Sequence, residues 1–272
     1  MSDFDEDDSG SERLDNLQQF FREDGRTIIL PIDHGTAIPV PGLESPRALI
    51  EALNSHVDGY VVNLGLGIAC LDLLEDKAIC LRTDCYKPAF GENVDEGSFR
   101  LYSVDEASTI GANAVMNMCY THHPNEVGIF RECAELISES LECEIPVILE
   151  SLPFGIGRSA DYTLENIGFA MRVAAELGTD IVKTAYPTGA SSDEFRALVD
   201  ACFVPVIVLG GSAMGDDRAL LTMVRNALDA GAVGIAIGRN VWQHRTPQRI
   251  AAALEAVVHD DASVDSALLL LK

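Results

Sequence analysis

The sequence predicts an α/β protein, a single-domain (β/α)8 or TIM barrel, from three observations. Eight short apolar, β-branched runs recur along the chain, helical patterns separate the later ones, and polar residues gather at one end of the runs. The runs are "TIILPID" (27–33), "DGYVVNLG" (58–65), "AICLRTD" (78–84) and "NAVMNMC" (113–119), then "IPVILES" (145–151), "TDIVKTA" (179–185), "VPVIVLGG" (204–211) and "AVGIAIGR" (232–239). They are continuously apolar rather than alternating. That is the pattern of strands buried on both faces, hence of a parallel sheet covered by helices.

The intervening helices are clearest late in the chain, as "TLENIGFAMRVAAELG" and "DDRALLTMVRNALDAG". Each ends on the glycine expected just past a helix C-terminus. Eight β units followed by helices or loops point to the closed barrel, and 272 residues suit one barrel of about 250. A doubly wound open sheet is the rival, weakened because no GxGxxG fingerprint follows an early run. "GLGIAC" (65–70) reads as a strand-to-helix turn. The opening "MSDFDEDDSGSERLDN" is acidic with little to bury, so residues 1–12 are expected to be a disordered leader and 13–272 the barrel.

Forty-three carboxylates against nineteen bases give a formal net charge of −24. Such a surface repels nucleic acids and anionic membranes, so neither is an expected partner. Acidic excess with fifteen arginines and only four lysines suggests a halophilic protein, in whose salty cytoplasm screening removes the self-repulsion. No apolar run approaches the roughly 20 residues of a membrane span, and the N-terminus is not signal-like. A soluble, cytoplasmic protein is expected. Seven cysteines in no CxxC or repeated spacing read as reduced thiols.

In a barrel of this class catalytic groups sit at the C-terminal ends of the strands. Those ends carry Asp33, Asn63, Asp84, Asn117, Glu150, Lys183, Gly210–Gly211 and Gly238–Arg239. Lys183 stands out, because the other lysines, Lys77, Lys87 and Lys272, lie in polar or terminal surroundings. Desolvation disfavours the charged form of a lysine, and a neutral amine attacks a ketone or aldehyde to give an iminium ion. That ion stabilises the carbanion left when a neighbouring C–C bond breaks. The structural alternative is an ion pair with Asp33 or Glu150.

Asp33, in "PIDHG", could shuttle protons to and from a substrate hydroxyl or simply cap the adjoining turn; His34 beside it is weaker evidence. "GGSAMGDD" and "GRNVWQHR" close the seventh and eighth runs, where barrels often bind phosphate on glycine N–H groups and a helix N-terminus. Gly210, Gly211, Ser212, Gly238 and Arg239 are the candidate cradle. His122–His123 with His34 could be imagined around zinc, but no HxxxH or CxxC spacing supports it, so no metal or other cofactor is expected.

"PIDHG", "PGLESP", "VAAELGTDIVKTAYPTG", "VPVIVLGG" and "GIAIGRNVWQHRTP" together resemble the archaeal-type class I fructose-bisphosphate aldolases. Their relatives include 2-amino-3,7-dideoxy-heptulosonate synthase and the phospho-autoinducer-2 thiolase. The resemblance covers residues 25–260 and is strongest over 161–247. It implies a lyase with Lys183 as Schiff-base lysine, Asp33 as acid/base residue and a substrate phosphate in the cradle. Fructose 1,6-bisphosphate is the first substrate it suggests, and a homo-oligomer is expected. One departure stands out. The aldolases and the synthase carry Tyr-Pro-Arg-Gly after the fifth strand, whereas "ESLPFG" here places Leu152 at the tyrosine and Phe154 at the arginine. Glu150, His34, His123 and Tyr186 are the candidates for the missing proton donor. The thiolase-like relatives also lack that tyrosine, so synthase or thiolase chemistry is the enzymatic alternative. A barrel that binds sugar phosphate without turnover is the non-enzymatic one.

Overall fold

In a computed structural model of the chain, residues 11–37, 41–86 and 98–272 are described. All eight apolar runs are strands. They are β1 (Thr27–Pro31), β2 (Gly59–Val62), β3 (Ala78–Arg82), β4 (Ala114–Thr121), β5 (Val147–Pro153), β6 (Ile181–Ala185), β7 (Val206–Leu209) and β8 (Gly234–Ala236). They pair in the cyclic order β1-β8-β7-β6-β5-β4-β3-β2 and close into a barrel, every pairing parallel. The open-sheet alternative is thereby overturned.

Two apolar layers follow from the two faces of each strand. Ile29, Val61, Cys80, Met116, Ile148, Ile181 and Ile207 fill the barrel interior, and a larger cluster joins the outer strand faces to the helices. Phe20 belongs to the interior set. It lies against Gly59 and Ala78, the first residues of β2 and β3, and so closes the end of the barrel where the strands begin. Its segment follows a helix, Ser11–Gln18, anchored by Arg13 to Asp180 at 2.6 Å. The leader expected over 1–12 lies outside the described residues as far as residue 10, and this helix begins within its last two positions.

The helices end as the sequence suggested. Thr163 caps Leu164–Leu177 by accepting from the Asn166 N–H, and Gly178 follows it in the left-handed region at φ 104°. Asp216 caps Asp217–Asp229 in the same way. Beyond β3, Asp84–Cys85 pairs antiparallel with Phe99–Arg100, a ribbon that no sequence pattern announced. Among the described residues no helix is long and apolar enough to cross a membrane.

Candidate active site

A cavity of about 450 Å³ opens where the strands end. Asp33 and His34 follow β1, Arg82 ends β3, Glu150 and Leu152 lie on β5 and Lys183 on β6. Gly210–Met214 after β7 and Gly238–Arg239 after β8 complete the wall.

Glu150 and Lys183 are directly opposed in the β5–β6 ladder. Both side chains face inward, so the pair meets at the cavity base with Lys183 Nζ 2.8 Å from Glu150 Oε2. Lys183 is only 3% exposed, and its other recorded neighbour is Met116 Sδ at 3.7 Å. Arg82, 2% exposed, is the hub of the floor. Its Nε donates to Asp33 Oδ2 at 2.7 Å, and its two terminal nitrogens donate to Asp84 Oδ1 at 3.2 Å and Glu150 Oε2 at 2.5 Å. Three carboxylates thus converge on one guanidinium, whose planar fork suits several acceptors at once.

The electrostatics follow from this geometry. Burial acts to raise the Asp33 carboxyl, but Arg82, with His34 and Lys183, outweighs it and holds the group far below the usual range. Glu150 is likewise held low against burial, by Lys183 and Arg82. Asp84 behaves differently. Burial pushes it up to about 6 despite Arg82 and the N–H of Met118. Asp33 and Glu150 are therefore firmly ionised, and among the described residues Asp33 Oδ1 is buried without a hydrogen-bond partner. His34 Nδ1 faces it at 3.4 Å, the contact through which His34 helps to hold Asp33 low.

The remaining candidates separate. Gly210, Gly211, Ser212, Gly238 and Arg239 all border the cavity together. Asn240 ties their two loops, donating to Gly210 O at 2.9 Å and Ser212 O at 3.2 Å while accepting from the Met214 N–H at 2.8 Å. His123 is a correction, because it is not among the cavity-lining residues. Its Nδ1 accepts from the Asn125 N–H at 3.0 Å and its ring lies by Tyr120. Neighbouring His122 stacks on Phe169, so the two rings do not converge. Tyr186 lines the cavity, but its hydroxyl donates to Ala190 O at 3.2 Å. Asn117 lies within β4 on the outer face, within reach of Cys133 Sγ at 3.9 Å. Asn63 supports the site from behind, donating to Asp33 O at 2.6 Å.

Sequence reasoning missed Arg82 and Tyr86. Arg82 stands one place before the polar pair "TD" and reads as the end of a surface strand. Alternation from inward Cys80 was the available signal, since residues two apart share a face. Tyr86 borders the cavity, its ring 4.9 Å from the Arg82 guanidinium carbon. Burial, with Asp33 nearby, pushes its phenol well above the ordinary value, so it stays a hydroxyl donor.

Comparison with known proteins places this constellation in a lineage. The family model described as DeoC/LacD family aldolase matches residues 27–244. A Halobacterium salinarum protein named fructose-bisphosphate aldolase class 1 is 33% identical over 261 residues, covering 90% of this chain and 95% of its own. Another from that organism, 2-amino-3,7-dideoxy-D-threo-hept-6-ulosonate synthase, is 32% identical over 250 residues, covering 90% and 91%. Among solved structures, an archaeal fructose 1,6-bisphosphate aldolase superposes with a TM-score of 0.82 at 28% identity, covering 91% of this chain and 99% of its own. A structure with the same TM-score and identity, covering 90% and 99%, has its catalytic lysine covalently bound to the carbinolamine intermediate of the substrate. The chain belongs to the DeoC/LacD family of aldolases, with class I, Schiff-base enzymes among its relatives.

Proposed function

We propose that the chain is a class I aldolase that makes or cleaves a C–C bond in a phosphorylated keto compound, with Lys183 as the nucleophile. The carrying observation is the buried Lys183 amine, 2.8 Å from Glu150, on the floor of a cavity whose rim is a glycine-rich cradle with Arg239. Glu150 receives a proton from the lysine, and the freed amine attacks the carbonyl carbon. The protonated Glu150 returns that proton as the carbinolamine hydroxyl leaves as water. In cleavage, the resulting iminium draws the electron pair of the adjacent C–C bond. Asp33 Oδ1, unpartnered in the cavity wall, takes the proton of the substrate hydroxyl that becomes the aldehyde. Protonation of the enamine carbon and hydrolysis then release the second product. Every step uses side chains of the chain, so no cofactor or metal enters the scheme.

The phosphate sits against Gly210, Gly211, Ser212, Gly238 and Arg239, where backbone N–H groups and one guanidinium provide the charge complement. Fructose 1,6-bisphosphate, the substrate in the names of the similar aldolases, is the first compound to assay. Leu152 in the cavity wall favours a second reading, synthase or thiolase chemistry on a phosphorylated diketone, because the family tyrosine is absent.

The test is borohydride trapping in molar salt with dihydroxyacetone phosphate or fructose 1,6-bisphosphate, followed by peptide mapping. An adduct on Lys183 that is absent from Lys183→Met supports the imine. Ligand-induced stabilisation without an adduct, across a panel of phosphorylated ketones, supports a barrel that only binds sugar phosphate.

A further inference from the structure

We infer that the aldehyde half of the substrate carries no charge, so that the preferred keto compound is a monophosphate with an uncharged, partly apolar distal end. This rests on the Schiff-base reading above and narrows its substrate class.

The first argument is the supply of cations. Arg82 is committed to three carboxylates and Lys183 to Glu150. Arg239 borders the cavity, forms no ion pair among the described residues, and keeps a buried Nε without a partner. One uncommitted guanidinium beside one glycine cradle matches one phosphate. The floor itself holds Asp33, Asp84 and Glu150 against Arg82 and Lys183, so a second phosphate brought near it would meet excess negative charge.

The second argument is the wall formed by the end of β5. Glu150 and Leu152 are two residues apart on one strand and share the inward face. Leu152, 1% exposed, therefore stands beside the reacting centre. Two residues further the alternation breaks, because Phe154 adopts a left-handed backbone at φ 60°. Its ring turns to His122, 5.1 Å away between centroids, and it is not among the cavity-lining residues. The nearby Arg158 packs over that ring and pairs with Asp161 at 2.8 Å. The loop offers the cavity Ile156, Gly157, Ser159 and the ring of Tyr162, whose hydroxyl donates to Gly155 O at 3.0 Å, and none of these carries a positive charge. A phosphoryl group placed against this wall would find a serine hydroxyl but no cation in exchange for its hydration. An uncharged aldehyde loses far less.

In the synthetic direction Asp33 takes the proton lost from the donor carbon as the lysine-bound dihydroxyacetone phosphate becomes an enamine. The enamine carbon attacks the aldehyde carbon, and Asp33 passes that proton to the aldehyde oxygen. Water then hydrolyses the iminium, replacing the molecule lost when it formed. The experiment uses the full chain in molar potassium chloride with dihydroxyacetone phosphate as constant donor. Glyceraldehyde, lactaldehyde and propanal are compared as acceptors with glyceraldehyde 3-phosphate, and the ketose formed is quantified. At least a tenfold higher kcat/KM for the best uncharged aldehyde is expected. Leu152→Arg should move the ratio at least tenfold toward the phosphorylated acceptor. An equal or better rate with glyceraldehyde 3-phosphate, or reaction of neither class, overturns the inference. Borohydride trapping with the donor alone separates the two levels. A Lys183 adduct with a preference for the phosphorylated acceptor defeats only the inference, whereas no adduct defeats the underlying reading and the inference with it.

Discussion

Arg82 is the residue whose loss the structure makes most consequential. Replacing it by Met keeps most of the volume but leaves Asp33, Asp84 and Glu150 without their shared donor in a site where Arg82 was 2% exposed. Removing one partner of a buried ion pair costs about 3–5 kcal/mol, and the upper end applies where one guanidinium serves three carboxylates. Against a typical total stability of about 5–15 kcal/mol the variant is marginal at neutral pH. The loss must also depend on pH, with a defined sign. In the native chain Asp33 and Glu150 are held below their ordinary values, so their contribution is present above the unfolded carboxylate range, about pH 4, and is lost as pH falls through the lowered folded values. Without the guanidinium, burial raises Asp33 and lifts Asp84 further, while Lys183 still pairs with Glu150. The penalty on Asp33 and Asp84 then applies above the raised values and fades on acidification. The difference between native and Arg82→Met stability should therefore be largest at pH 8 and clearly smaller at pH 5. Urea unfolding in molar potassium chloride at the two pH values measures this, with Arg82→Lys as comparator, since one ammonium cannot span three acceptors. A loss below about 1 kcal/mol, or one equal at both pH values, refutes the reasoning.

Lys183→Arg should keep the Glu150 ion pair and the fold but abolish the borohydride adduct and reduce turnover at least about a thousandfold, because guanidinium forms no imine; a surviving adduct at the same peptide would show another nucleophile. Gly234→Ala should destabilise by about 3 kcal/mol in thermal or chemical unfolding, since its Cβ would sit 2.2 Å from Thr27 O across the β8–β1 seam. Unchanged unfolding would contradict that packing. His259→Gln tests the opposite end of the barrel. Burial opposes charging this histidine, but hydrogen bonds to Asp58 and Asp24 prevail and raise it above its ordinary value. Its contribution should be full below the unfolded value, about pH 6.5, and decline as pH rises through the folded one. A mutational loss that grows with pH would reverse the assignment.

The barrel was legible because its signal is redundant. Each of eight runs is continuously apolar, and eight such strands separated by helices, with no GxGxxG fingerprint after an early one, fit the closed barrel better than its open-sheet rival. Lys183 and Glu150 were legible for the same reason, as charges embedded in apolar runs. The cradle was legible from glycines at the last two strand ends. Arg82 was not, because "LRTDC" looks like a strand leaving the core, and only the closed barrel reveals that residue 82 points inward. Asn117 misled in the opposite sense, since polarity within a strand does not state which face it occupies. His123 failed for a local reason. Its ring nitrogen accepts the Asn125 N–H at the entrance to the helix Glu126–Glu142, and that turn fixes the side chain away from the cavity. The left-handed backbone of Phe154, whose ring lies against His122, has no signature in sequence.

The ion-pair alternative for Lys183 can be weighed against the whole floor. Counting formal charges, Asp33, Asp84 and Glu150 against Arg82 and Lys183 leave a net −1, and protonation of Asp84 near pH 6 brings the set to neutrality. A role confined to balancing charge would be served as well by arginine, which this chain uses fifteen times against four lysines. An apolar floor would serve stability better still, because well-packed hydrophobic residues in place of a buried ionic cluster are often neutral or stabilising. Nor is the cluster closed upon itself, for among the described residues Asp33 Oδ1 is buried at the cavity wall without a hydrogen-bond partner. A purely structural network gains by satisfying every such atom. Unfilled acceptor capacity beside an amine is what a substrate hydroxyl would complete, and this favours a floor built for chemistry over one that only supports the barrel.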